Sequence, residues 1–167
     1  MAHIYGPQSD PQYDSHYAAI GRLTEAWAHL EFAIDQGIWQ LAHAEQAFCA
    51  CITSQLIGVN KRMDAYRALF TTNNGSDVLG KKIDKFSGSL SALQEERHRS
   101  VHDPRAINKV TRKMDRMQIT AKRKLVFGWQ SETVNDLMQT RNKISDKIFE
   151  FQILHNDVMV SLFDLNK

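Results

Sequence analysis

The chain has 167 residues, enough for one compact domain and little more. A hydrophobic content of 43% can build a core, which excludes general disorder, and no apolar run approaches the length of a membrane span. The net charge of +2 hides an asymmetry: residues 1–60 carry −5, 61–96 carry +1, 97–124 carry +8 and 125–167 carry −2. A basic block of that density points to an anionic partner.

Residues 1–14 hold Pro7, Pro11 and Gly6 and few aliphatic side chains, the composition of a flexible N-terminal arm ahead of a single helical domain at 15–167. They lack a basic start followed by an apolar run, so no secretory signal is read and a cytoplasmic location is expected. Beyond the arm the one proline is Pro104, which leaves long stretches free to be helical.

The first helix is expected over 15–44. Ile20, Leu23, Trp27, Leu30, Ile34, Ile38 and Leu41 recur at steps of three and four, the helical period. Phe32 and Trp39 lie off that stripe and widen it, for a third helix or for the seam of a homodimer. A short second helix covers 45–57 with Gly58 as its stop, and Asn60 caps a third over 61–72. Cys49 and Cys51 fall about 200° apart on a helix, so they do not pair with each other. Asn74-Gly75 marks a turn. A fourth helix begins near Ser76 or Asp77 with the stripe Leu79, Ile83, Phe86, Leu90, Leu93, and Asp103-Pro104 stops it.

Two patterns compete over 105–129. Met117, Ile119 and Ala121, then Leu125, Phe127 and Trp129, alternate as in a β-hairpin over 112–129 turning near Lys122-Arg123. Ile107, Val110, Met114 and Met117 instead step by three and four, as in a basic amphipathic helix. The hairpin fits better. A last helix over 132–165 presents Val134, Leu137, Ile144, Ile148, Phe151, Val158 and Leu162. The expected fold is therefore mainly α: an antiparallel bundle of four to five helices with a β-hairpin between the last two long ones.

Chemistry concentrates in Glu-Glu-Arg-His-Arg-Ser-Val-His-Asp-Pro at 95–104. Arg97 offers a permanently charged planar fork for phosphate oxygens, and His102 exchanges protons near neutral pH. RNA supplies its own nucleophile, the 2′-hydroxyl, so such a pair needs no metal to cleave a phosphodiester. On an unbroken helix the two lie about 140° apart, but a frayed last turn before Pro104 would let His102 swing back. His98 and His102, four apart on one face, also have the spacing of paired metal ligands, though no third ligand is evident. Cations at a helix C-terminus are favoured by the macrodipole in any case.

The run Arg97-His98-Arg99-Ser100-Val101-His102 is similar to the Arg-x(4–6)-His signature of the HEPN superfamily. The order of elements resembles that family too, with the motif at the end of the helix before the last. The resemblance implies an α-helical bundle, often a homodimer, whose active members are endoribonucleases without metal or cofactor, many of them toxins or defence effectors with a cognate antitoxin. It places Arg97 on the scissile phosphate, His102 in proton transfer and His98 in an orienting role, in a cleft between two subunits. Inactive relatives serve as dimerisation or nucleotide-binding modules. The cations that follow, from Arg99 and Arg105 through Lys109, Arg112, Lys113 and Arg116, would guide an RNA backbone. Aromatic residues are absent among them until Phe127 and Trp129, which argues against a platform that stacks single strands.

Overall fold

A computed structural model describes residues 3–5, 11–121 and 125–164. The fold is mainly helical. Five α-helices are present among these residues: α1 (Asp14–Ala42), α2 (Gln46–Thr53), α3 (Gly58–Thr72), α4 (Asp77–His102) and α5 (Val134–Asp164). Four strands accompany them: β1 (His3–Tyr5), β2 (Arg105–Asn108), β3 (Met114–Thr120) and β4 (Val126–Ser131). No helix among the described residues is long and apolar enough to cross a membrane.

The helices form where the period placed them, with two corrections. Gly58 opens α3 instead of closing α2, and Asn60 lies inside α3 instead of capping it. The reason is local: Gly58 takes a φ of +79°, which glycine adopts without the Cβ penalty, and this lets the chain turn directly into the next helix. At the start of α5, Thr133 Oγ1 accepts a hydrogen bond from Asp136 N–H at 3.1 Å, while Thr133 N–H donates to Asp136 Oδ2 at 2.8 Å. This reciprocal box satisfies two otherwise orphaned donors. Those bonds from Thr133 hold the Asp136 carboxyl below its ordinary value.

The basic segment is sheet, not amphipathic helix. All four strands pair antiparallel in the order β1-β2-β3-β4. The β3–β4 hairpin runs in register from Asp115 opposite Ser131 to Thr120 opposite Val126. Its expected turn at Lys122-Arg123 lies outside the described residues. Two strands escaped the sequence. β2 is only four residues long, and β1 falls in the segment expected to be a flexible arm. That segment also forms a 3-10 turn, Pro11–Tyr13, whose Tyr13 is buried with Ile107 and Met114.

The chain divides into two compact units. The first comprises Met1–Glu25 and Glu95–Asn142, the second Ala26–Gln94 and Lys143–Lys167. In the second unit, Leu30, Ile34, Met63, Tyr66, Phe70, Ile83, Leu90, Ile144 and Phe151 are fully buried. A Cβ added at Gly37 would come within 2.8 Å of the Tyr66 ring and 3.0 Å of Phe151, so α1 approaches both rings closely there. Tyr66 and His155 meet at 2.8 Å between the hydroxyl and Nδ1, and His155 Nε2 lies 2.9 Å from Gln40 Oε1. Burial pushes the Tyr66 hydroxyl up and the His155 imidazole down, so both favour their neutral forms. Trp39, off the main stripe, donates its indole N–H to Thr53 at 3.0 Å and is thereby tied to α2. Cys49 is buried and Cys51 exposed, both as free thiols.

Replacing Thr133 by alanine removes the cap of α5. It should lower stability by about 1 kcal/mol in urea denaturation. A variant as stable as the wild type would show that the box contributes nothing.

Candidate functional site

The motif occupies the last two turns of α4, in the first unit. The helix does not fray before Pro104. Asp103 N–H still donates to the Arg99 carbonyl at 3.1 Å, and Arg105 donates to the carbonyls of Ser100 and of Asp103 (3.3 Å for the latter). With the last turn held in this way, His102 keeps its helical position and does not swing back toward Arg97. The two stay about 140° apart around the axis. The side chains that meet are those of His98 and His102: both are exposed, and their rings lie 4.6 Å apart with a tilt of 44°. Arg97 is half-buried. Arg99 reaches back one turn to Glu95 at 2.6 Å.

Beneath this helix end sits a residue the sequence did not single out. Glu132, just before α5, has a side chain only 9% exposed. Its Oε2 accepts from Arg105 at 2.6 Å, and its Oε1 pairs with Arg116 at 3.1 Å and accepts from Ser100 Oγ at 3.2 Å. His16 Nε2 stands 3.7 Å away, within ion-pair range but beyond a hydrogen bond. Arg116 also pairs with Asp103 at 2.8 Å. Burial alone would raise the Glu132 carboxyl, but His16 and Arg105 beside it, with the charge of Arg116, outweigh burial and hold it below its ordinary value. Nearby, Thr140 donates to Glu96 at 2.5 Å.

The cations expected to meet RNA therefore divide. Arg105 and Arg116 turn inward onto carboxylates. Lys109, Arg112 and Lys113 are exposed in the connection between β2 and β3. That connection is built by Asn108, whose side-chain oxygen accepts from the N–H groups of Val110 (3.0 Å) and Thr111 (3.1 Å). Its backbone carbonyl takes Arg112 N–H at 2.8 Å, and Tyr13 donates to the Arg112 carbonyl at 3.3 Å. Among the described residues no group of three or more His, Cys, Asp or Glu side chains is placed to hold a metal ion.

The inward arginines were not legible in the sequence, which placed Arg105 and Arg116 among the RNA-facing cations. Arg105 and Arg116 are cross-strand partners in β2 and β3, on the sheet face that also carries the buried Ile107 and Met114. Alternation along β3 would turn the apolar Met117 and Ile119 inward and Arg116 outward; the structure reverses this and leaves Ile119 59% exposed. No spacing rule pointed to Glu132, because its partners are 16 and 27 residues away.

Replacing Glu132 by glutamine leaves two largely buried guanidinium groups short of a counter-charge. It should cost roughly 3 kcal/mol or more of stability. Because the folded carboxyl titrates below its ordinary value of 4.5, the stability it supplies is full above that pH and is lost as the pH falls below it. Urea midpoints of wild type and variant should therefore converge in acid, and a constant gap down to pH 3 would refute the assignment. In comparisons with known proteins, no protein-family model, curated protein or solved structure matches this chain.

Proposed function

We propose that the protein is a metal-independent endoribonuclease with a HEPN-like helical bundle, acting as a cytoplasmic homodimer. The observation that carries this reading is the pair of exposed imidazoles, His98 and His102, 4.6 Å apart at the end of α4 beside a half-buried arginine. Both rings stand in solvent, where a substrate can reach them.

The chemistry is simple in outline. A neutral imidazole, His102, takes the proton of the 2′-hydroxyl as that oxygen attacks the adjacent phosphorus. The bond from phosphorus to the 5′-oxygen breaks, and that oxygen receives a proton from the second ring, His98, acting as an imidazolium and left neutral. The products are a 2′,3′-cyclic phosphate and a 5′-hydroxyl. Arg97 neutralises the extra charge on the phosphoryl oxygens as the transition state forms. Arg97 and His102 point to different sides of one helix, so a second copy of the chain would supply the complementary half of the cleft. Lys109, Arg112 and Lys113 would hold the flanking backbone.

A second reading has its own support. Phe149, Ile153 and Val160 of α5 are 65%, 50% and 61% exposed and share one face at steps of four and seven. That surface suits a helical module that binds a protein, such as an antitoxin, without cutting RNA.

Purified protein should cleave labelled RNA in EDTA with a rate that falls at both acid and alkaline pH. His102→Ala should lower the rate on the order of a hundredfold or more, with His98→Ala and Arg97→Ala also impaired. Equal cleavage by wild type and all three variants, or none by any, would end the catalytic reading and leave the binding module. Reversing Lys109, Arg112 and Lys113 to glutamate should weaken RNA binding and flatten its dependence on salt, as expected when counterion release is lost. An unchanged slope would show that the turn does not touch phosphate.

A further inference from the structure

The outer face of the sheet is unlike its inner face. The register places His3, Asp115, Met117, Ile119, Phe127 and Trp129 together on it. Ile119 and Phe127 are direct cross-strand partners, and both stand in solvent, 59% and 67% exposed. Met117 and Trp129 are the next pair on the same face. Trp129 lies flat against His3, with centroids 4.2 Å apart and planes 17° from parallel. His3 Nε2 in turn lies 3.1 Å from Asp115 Oδ2, which also accepts from Asn108 at 3.1 Å. Phe127 and Trp129 sit two residues apart on β4, about 7 Å along the strand.

We propose that this face is a stacking platform for the bases of single-stranded RNA. The proposal rests on RNA being the protein's partner and narrows it to unpaired strands. The Phe127 ring, exposed on the sheet beside the half-buried Trp129, is what an unstacked base needs, and every base offers a π-face to it. Charge selects this occupant over another protein surface of like composition. The face ends, at its His3 and Asp115 end, in the β2–β3 connection, where Lys109, Arg112 and Lys113 are exposed and can follow the phosphates. The scarcity of aromatics among the cations argues against such a platform along the chain, but proximity in the fold is set by the β3–β4 hairpin. The hairpin brings Phe127 and Trp129, distant along the chain from Lys109 and Arg112, onto the sheet that those cations border.

The test uses a fluorescein-labelled single-stranded RNA and the same strand annealed to its complement, with every protein carrying His102→Ala so that the probe survives. Phe127→Ala, at an exposed position that should not disturb folding, should weaken single-strand binding by roughly tenfold. Phe127→Tyr should keep it. Duplex affinity should not change, because paired bases are already stacked. Single-stranded RNA should also quench tryptophan emission, and Trp129→Phe should remove that quenching.

Single-strand affinity untouched by Phe127→Ala would overturn the platform while leaving the ribonuclease reading intact. Equal loss on single strand and duplex would overturn it as well. Dissociation of a self-associated species by Phe127→Ala in light scattering, at constant RNA affinity, would give the face to a second copy. Phe127-dependent binding by a protein whose unmutated form cuts no RNA would keep the platform and remove the nuclease. Absence of any RNA binding would remove both.

Discussion

A single carboxylate organises the end of α4 that carries His98 and His102. Glu132 stands at the junction between the sheet and α5 and gathers Arg105 from β2, Arg116 from β3 and Ser100 from α4. Each of these elements would otherwise end in an unsatisfied charge or an orphaned polar group. Asp103 shares the load of Arg116, and Arg105 in turn takes the terminal carbonyls of α4. The helix end that carries the two histidines is thus fixed by arginines from the sheet, and those arginines are fixed by an acid from the start of the last helix. A buried ion pair of this type contributes little net energy compared with a well-packed apolar substitute, but its disruption is severe. It defines which strand meets which helix end.

This arrangement changes the meaning of the basic block. Counted by segment, +8 describes a polyanion-binding surface. In the structure, Arg105 and Arg116 are spent on internal carboxylates and Arg99 on Glu95. Among the described residues of the block, Lys109, Arg112 and Lys113 are exposed in the short turn that joins β2 and β3. A segment's net charge and its surface charge are different quantities, and the difference here was set by acids at 95, 103 and 132.

The helical skeleton was legible because its signal is local. Stripes such as Leu23, Trp27, Leu30 and Ile34 repeat over many turns, and such periodicity needs no knowledge of distant partners. The alternation of Met117 and Ile119 with Phe127 and Trp129 also identified the hairpin. What escaped was non-local. β1 and β2 are too short to show a period, and they exist because they pair across about a hundred residues. Gly58 read as a stop because a positive φ suits the end of one helix as well as the approach to the next. At the candidate site, the motif residues were found, but the sequence could not tell that Arg105 would lock the last turn of α4. The face shared by His98 and His102 follows from that lock, and so does the separation of Arg97 from His102.

One detail of the β2–β3 turn has a consequence for how the protein balances its needs. Arg112 adopts a φ of +56°, a left-handed conformation that disfavours any residue with a Cβ by about 1–2 kcal/mol. Glycine would sit there with ease, and asparagine with little strain. A long, exposed cation occupies the position instead, its backbone held by Asn108 and Tyr13. The backbone at this corner is therefore not optimised for stability. It holds a cation at the corner between β2 and β3, as His43 and Asn74 hold side chains at positive φ at other corners of the chain.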